Sequence, residues 1–231
     1  MSLEVKKSIK KYIPKIIMWV LGIILLLCII KIALWEEKYY REKEGSERAK
    51  PELVGDVEYS EEIISEEKVT EKQIVEYTVP ADEPRYLYID KLGINRARIM
   101  SVGVNSKGQM QTPRSIYDAA WYNKSAKPGK GRTAILNGHS GVGSSKGIFN
   151  NLKTLTAGDE IRIEMGDGSV YIYRVYDNFE VKLSEANQKM SMLQTSPVDG
   201  VESISIITCT GDYSLNQKTY LSRQFLRATR V

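Results

Sequence analysis

Apolar and polar positions divide this chain into three textures. Residues 16–35, "IIMWVLGIILLLCIIKIALW", form twenty positions interrupted by a single charge, Lys31. At about 1.5 Å per residue such a helix spans roughly 30 Å, the hydrocarbon thickness of a bilayer. Residues 36–79 then lose sustained periodicity and fill with Glu and Lys. From about residue 80 the pattern becomes short alternating runs: "YLYI" (86–89), "RIMSVGV" (98–104), "TAIL" (133–136), "EIRIEM" (160–165), "SVYIYRVYDNFEV" (169–181), "ESISIITC" (202–209) and "YLSRQFLRAT" (220–229). These read as strands. "GDGS" (166–169) is a hairpin turn centred on Asp167-Gly168, while "GIFNNLKTL" (147–155) and "EANQKMSML" (185–193) read as short helices or helical turns. Many short strands without regular intervening helices predict an all-β antiparallel barrel or sandwich.

Charge sharpens the partition. Lys6, Lys7, Lys10, Lys11 and Lys15 precede the apolar run, and fourteen acidic against seven basic side chains follow it between 36 and 80. Positive charge stays in the cytoplasm, so the C-terminal bulk is expected outside the cell. Trp19 and Trp35 sit toward the two ends as belt residues do, and Lys31 can extend its ammonium to the headgroups. "WEEKYYREKE" follows where a signal peptide would show a small-residue cleavage site, so the run is expected to be retained. The expected organisation is a cytoplasmic basic tail (1–15), a transmembrane anchor (16–35), a charged extracellular linker (36–79) and an exported domain (80–231). The lysines flank a membrane segment, and no nucleic-acid partner is expected.

Cys28 lies within the apolar run and Cys209 far from it, which leaves no intramolecular disulfide despite an oxidising compartment. Cys209 ends the run "SISIITC" and precedes the turn-forming "TGDYS". A strand end is rigid yet open to a substrate, as a nucleophile requires, although a buried free thiol is the commoner fate of a lone Cys. His139, the only histidine, follows "TAIL" in the glycine-flanked loop "NGHSG". Arg223 stands fourteen residues beyond Cys209; if the last two strands pair, it lies near the Cys209 end of their hairpin, where a guanidinium could serve an oxyanion. By composition alone, Arg227 and Arg230 are equally available. "GSSKG" (143–147) fits the spacing of a serine nucleophile elbow, but no histidine follows it as that chemistry needs.

Taken together, these motifs resemble the sortases, cysteine transpeptidases of the bacterial cell surface. The family marks its nucleophile with T-L-x-T-C; "SIITC" (205–209) keeps Thr208 and Cys209 while Ser205 and Ile206 replace the Thr and Leu. "NGHSG" matches the family's histidine context, and "RQFLRAT" matches its arginine strand, which selects Arg223 over Arg227. Supporting likeness runs through "YLYIDKLGI", "PGKGRTAILNGH", "GIFNNL" and "AGDEIRI", covering about residues 80–231. "DEPRY" (82–86) lacks the Asp-Pro-aromatic lid motif of pilin-polymerising members, which favours an open-cleft housekeeping-like or class D-like enzyme.

The resemblance implies a closed antiparallel sortase-type β-barrel of about eight strands with a few short helices, preceded by one transmembrane helix. It implies Cys209 as nucleophile, His139 as general acid/base, Arg223 as oxyanion and substrate stabiliser, and Thr208 as a substrate-binding residue. No metal and no cofactor are expected. The implied partners are surface proteins bearing an LPxTG-like sorting signal and an acceptor amine, from a peptidoglycan precursor or a pilin Lys. A non-catalytic wall-binding module is the alternative.

Overall fold

In the computed structural model the described residues are 30–32, 36, 64–106 and 108–231. Ile30–Ile32 and Glu36 are helical; the rest of the expected anchor, and the basic tail, lie outside the described residues. Among the described residues no helix is long and apolar enough to cross a membrane.

Ten strands follow in chain order: β1 (Pro84–Ile89), β2 (Ile94–Val102), β3 (Ala119–Tyr122), β4 (Thr133–Gly138), β5 (Gly141–Val142), β6 (Ser145–Lys146), β7 (Glu160–Met165), β8 (Val170–Lys182), β9 (Ser203–Ser214) and β10 (Thr219–Arg230). Eight of them close a barrel in the order β1-β2-β3-β4-β9-β10-β8-β7, while β5 and β6 form a separate two-stranded ribbon. The β7–β8 turn is where the sequence puts it. Gly168 takes φ +83°, and Asp167 accepts hydrogen bonds from the Ser169 N–H at 2.8 Å and its hydroxyl at 2.6 Å.

The barrel corrects the expectation of a wholly antiparallel sheet, because β2–β3 and β4–β9 pair parallel. Parallel neighbours need long crossovers, and both have them: the 103–118 loop between β2 and β3, and everything from residue 139 to 202 between β4 and β9. Strand β3, "AAWY", is short and buried nearly throughout, so it offers no alternation to read.

Two apolar layers explain why "TAIL" and "SISIIT" are almost continuously buried. Inside the barrel, Ala134, Leu136, Ile204, Ile206, Leu226 and Ala228 join the main core with Trp121 and Tyr173. Outside it, Ile207 and Phe225 pack with Val181, Ala186 and Leu193. The helices Leu183–Lys189 and Ser191–Gln194 cover that outer face. A strand covered on both faces shows an apolar run rather than period two.

Apart from Glu36, the linker expected over 36–79 is described only from residue 64, and there it lies on the barrel. Helix Glu71–Val75 begins at a capping box, with Thr70 and Gln73 satisfying each other's backbone donors. The Tyr86 hydroxyl donates to the Ile74 carbonyl. Tyr77 donates to the Ile99 carbonyl at 2.6 Å, and Arg85 to the Tyr77 carbonyl at 2.8 Å. Polar side chains aimed at backbone carbonyls, rather than an apolar stripe, hold this strap, which is why its sequence reads as solvated.

Candidate active site

Three adjacent barrel strands, β4, β9 and β10, bring the predicted residues together. Arg223 on β10 is the direct cross-strand partner of Cys209 on β9. Directly opposed residues of antiparallel strands share a face with Cα atoms about 5 Å apart. On the other side of β9, the parallel register ends at Asn137↔Ile207. One step further, the Thr208 hydroxyl donates to the Gly138 carbonyl at 2.8 Å, so that His139 leaves β4 alongside Cys209. Alternation then puts Cys209 and Arg223 on the outer face of the barrel with Ile207 and Phe225, and Thr208 on the opposite side. Thr208 is buried and holds the end of β4 against β9; its visible work is to align the strands.

Local close approach accounts for the glycines around His139. A Cβ on Gly138 would meet the Phe149 ring at 2.8 Å, and one on Gly147 would strike the His139 carbonyl oxygen at 2.4 Å. The chain therefore folds tightly back on itself. The Phe149 N–H donates to the His139 carbonyl at 3.0 Å and the Ile148 N–H to the Ile116 carbonyl at 2.7 Å.

The imidazole is 8% exposed and its Nε2 lies 2.7 Å from the Pro113 carbonyl oxygen. A carbonyl can only accept, so the hydrogen resides on Nε2 and the lone pair of the neutral ring on Nδ1. Burial holds this imidazole below its ordinary range, with the Pro113 carbonyl acting the other way. Burial likewise pushes the Cys209 thiol up, and the Arg223 guanidinium pulls it back part of the way. At neutral pH the resting pair is thus a thiol and a neutral imidazole.

Arg223 is 2% exposed. One terminal nitrogen donates to the Tyr220 and Ser222 carbonyls at 2.9 and 3.0 Å, the other to the Thr219 hydroxyl at 3.3 Å. Those bonds lock the fork while leaving Nε–H and one terminal N–H without an acceptor among the described residues. A fixed cation with spare donors beside a thiol is suited to a developing oxyanion.

Neither of the two rival arginines shares this position. Arg227 is committed to Asp177 by paired hydrogen bonds, and Arg230 reaches Glu202 at 3.2 Å. The "GSSKG" segment carries the β5–β6 ribbon, not a strand-to-helix elbow. Among the described residues no three His, Cys, Asp or Glu side chains converge as metal ligands do. The sequence did not single out Pro113, whose backbone carbonyl fixes the histidine tautomer. Only the bend signalled by proline in "QTPRS" marks its place.

Comparison with known proteins completes the description of the site. A family model described as Sortase domain matches residues 87–231. Among solved structures the chain is similar to sortase C-1 from Actinomyces oris, at 23% identity and a TM-score of 0.47 over 64% of this chain and 72% of that one. It is similar to a lid mutant of sortase A from Corynebacterium diphtheriae, at 23% identity and a TM-score of 0.48 over 68% and 73%. A Clostridium perfringens sortase D5 transpeptidase matches at 18% identity and a TM-score of 0.45 over 71% and 90%. No curated protein matches the chain.

Proposed function

This chain belongs to the sortase family of cysteine transpeptidases, and on that premise we propose that it cleaves an LPxTG-like sorting signal and transfers the acyl group to an amine of the cell wall. The observation that carries the reading is the cross-strand pairing of Cys209 with Arg223 beside the strand end that bears His139.

The chemistry follows from those three groups. The Cys209 thiol passes its proton to His139, and the resulting thiolate attacks the carbonyl carbon of the signal's Thr, forming a C–S bond and a tetrahedral oxyanion beside an imidazolium. Arg223 donates its spare N–H groups to that oxygen; an oriented donor in a cleft is worth about 3 kcal/mol of barrier. Collapse breaks the Thr–Gly bond as imidazolium His139 gives its proton to the departing amine. The neutral imidazole then takes a proton from the incoming amine, which attacks the thioester carbonyl and releases the Cys209 sulfur. The acceptor is a peptidoglycan precursor's amine; a pilin Lys presents the same nucleophile.

In this reading the apolar run 16–35 anchors the protein in the cell membrane with its N-terminus cytoplasmic and residues 80–231 outside, as the lysines before it and the acidic residues after it favour. The decisive test combines a library of LPxTG-like peptides with an amine acceptor. Wild-type protein is expected to cleave and join them; Cys209→Ala is expected to lose all turnover while unfolding at the wild-type temperature. Retained turnover, or a Cys209 that resists alkylation in the folded protein, overturns the proposal in favour of a non-catalytic wall module.

A further inference from the structure

The loop that grips His139 is itself gripped from behind. On its inner side, Asn137 donates to the Gln111 carbonyl at 2.8 Å and His139 Nε2 to the Pro113 carbonyl at 2.7 Å. On its outer side the strap lies across it as an isolated parallel bridge between Ser65 and Ser115. The Ser65 N–H donates to the Arg114 carbonyl at 2.9 Å, and the Ile116 N–H to the Ser65 carbonyl at 3.1 Å. Next along the strap, the Glu66 carboxylate accepts from the Ser145 hydroxyl in the β5–β6 ribbon, which begins two residues after His139.

A solvent-open groove of about 460 Å³ lies alongside the Ser65 bridge, lined by Glu67, Lys68 and Gln73 of the strap, Gln111 and Pro113 of the loop, and Met100 of β2. A segment backed by packed core is held by many contacts at once. A segment beside a groove depends more on the bonds at its margins, and here those include the Ser65 bridge outside, the Asn137 and His139 bonds inside, and the Ile148 N–H on the Ile116 carbonyl at 2.7 Å.

We propose that residues 64–66 are a positioning element for His139: by pinning the 111–116 loop, the strap keeps the Pro113 carbonyl where it orients the imidazole and confines its hydrogen to Nε2. The proposal rests on the reading of His139 as the general acid/base. It makes part of the segment expected as a charged linker a support of the catalytic apparatus, without touching substrate. The contact to the loop runs through backbone atoms of Ser65, while its hydroxyl only accepts from the Glu67 N–H within the strap at 3.3 Å, so the bridge depends on the Ser65 N–H rather than on its side chain.

The test uses the full-length chain without a histidine tag, because the single histidine makes the imidazole nitrogens one isolated spin system. Long-range proton–nitrogen spectra are expected to show the Nε2–H tautomer alone in wild type. Ser65→Pro removes the donor to Arg114 and is expected to populate both tautomers and to lower kcat about tenfold with KM within twofold. Ser65→Ala keeps both backbone bonds and is expected to match wild type in tautomer and rate. If Ser65→Pro proves unfolded by amide dispersion, Glu66→Ala carries the test, with about a threefold loss of kcat and partial tautomer exchange expected. A wild-type tautomer and kcat in the folded strap variant overturns the proposal, and so does equal damage from Ser65→Ala and Ser65→Pro. If the tautomer shifts as expected but even wild type joins no peptide, the strap's hold on His139 stands and the enzymatic reading falls.

Discussion

The strip β4–β9–β10 has two ends, and they treat polar groups in opposite ways. At the end away from Cys209, the buried Glu202 carboxylate accepts from the Gly129 and Gly131 N–H groups at 2.8 Å, from Tyr173 at 2.6 Å and from Arg230 at 3.2 Å. Thr133 and Ser203 share a hydrogen bond of 2.8 Å beside it. Burial opposes the Glu202 charge, but those hydrogen bonds and the Arg230 guanidinium outweigh it and hold the carboxyl below its ordinary range. At the other end, donors and acceptors stay unspent. Among the described residues, Arg223 keeps two N–H groups, Asn137 Oδ1 and Ser140 Oγ beside His139 find no partner, and Cys209 is a free thiol. A polar cluster that closes on itself contributes stability; one that leaves groups open contributes reactivity, with the cost of incomplete pairing as its counterpart.

Substitutions at the two ends should separate those contributions, and the largest effect belongs to the open end. Arg223→Lys retains a positive charge but loses the planar fork. We expect kcat for peptide transfer to fall by about 10² or more, the loss of an oxyanion donor, with the melting temperature within a few degrees of wild type. A variant with full kcat would show that the open donors serve nothing.

Next in size is the closed end. Glu202→Ala strands two N–H groups and an arginine, and urea unfolding should show a loss of about 3 kcal/mol at pH 7, with kcat at 25 °C within twofold. Because the folded carboxyl titrates below its unfolded value, its contribution is present above the ordinary carboxylate range and fades as pH falls through the lowered one. The gap between wild type and variant should therefore narrow in acid. A large kcat effect here would break the comparison.

The smallest effect is electrostatic. Alkylation of Cys209 should speed up with pH and reach half its limit above the ordinary thiol range, since burial outweighs Arg223. Removing the guanidinium in Arg223→Gln should move that midpoint further up. An unchanged midpoint would show that the arginine does not act on the thiol at all.

Much of this was written plainly along the chain. The strands β1, β7, β8, β9 and β10 lie close to their alternating or apolar runs, and Cys209, His139 and Arg223 meet as their strand-end positions and the family likeness suggested. What escaped had no side-chain pattern to betray it. Strand β3 is too short to alternate, and parallel pairing is a property of crossovers rather than of any strand's composition. The strap hides in an acidic stretch because backbone carbonyls, not apolar residues, receive its anchoring bonds. Pro113 acts through its carbonyl, which every residue possesses. Glu202 read as one acid among many, since the two glycine N–H groups it binds lie more than seventy positions upstream.

The bond from Thr208 to Gly138 joins residues 70 apart in the chain. Closing a loop of that length costs on the order of 4 kcal/mol in chain entropy before any contact repays it, and parallel pairings of this kind form slowly. The β4–β9 seam is consequently a late event in the assembly of the barrel. Until β9 has emerged and docked, the histidine and the thiol belong to separate stretches of chain. A molecule whose β9 has not yet docked carries a cysteine but no assembled site, so the seam works as a timer that withholds the site until the last strands are in place.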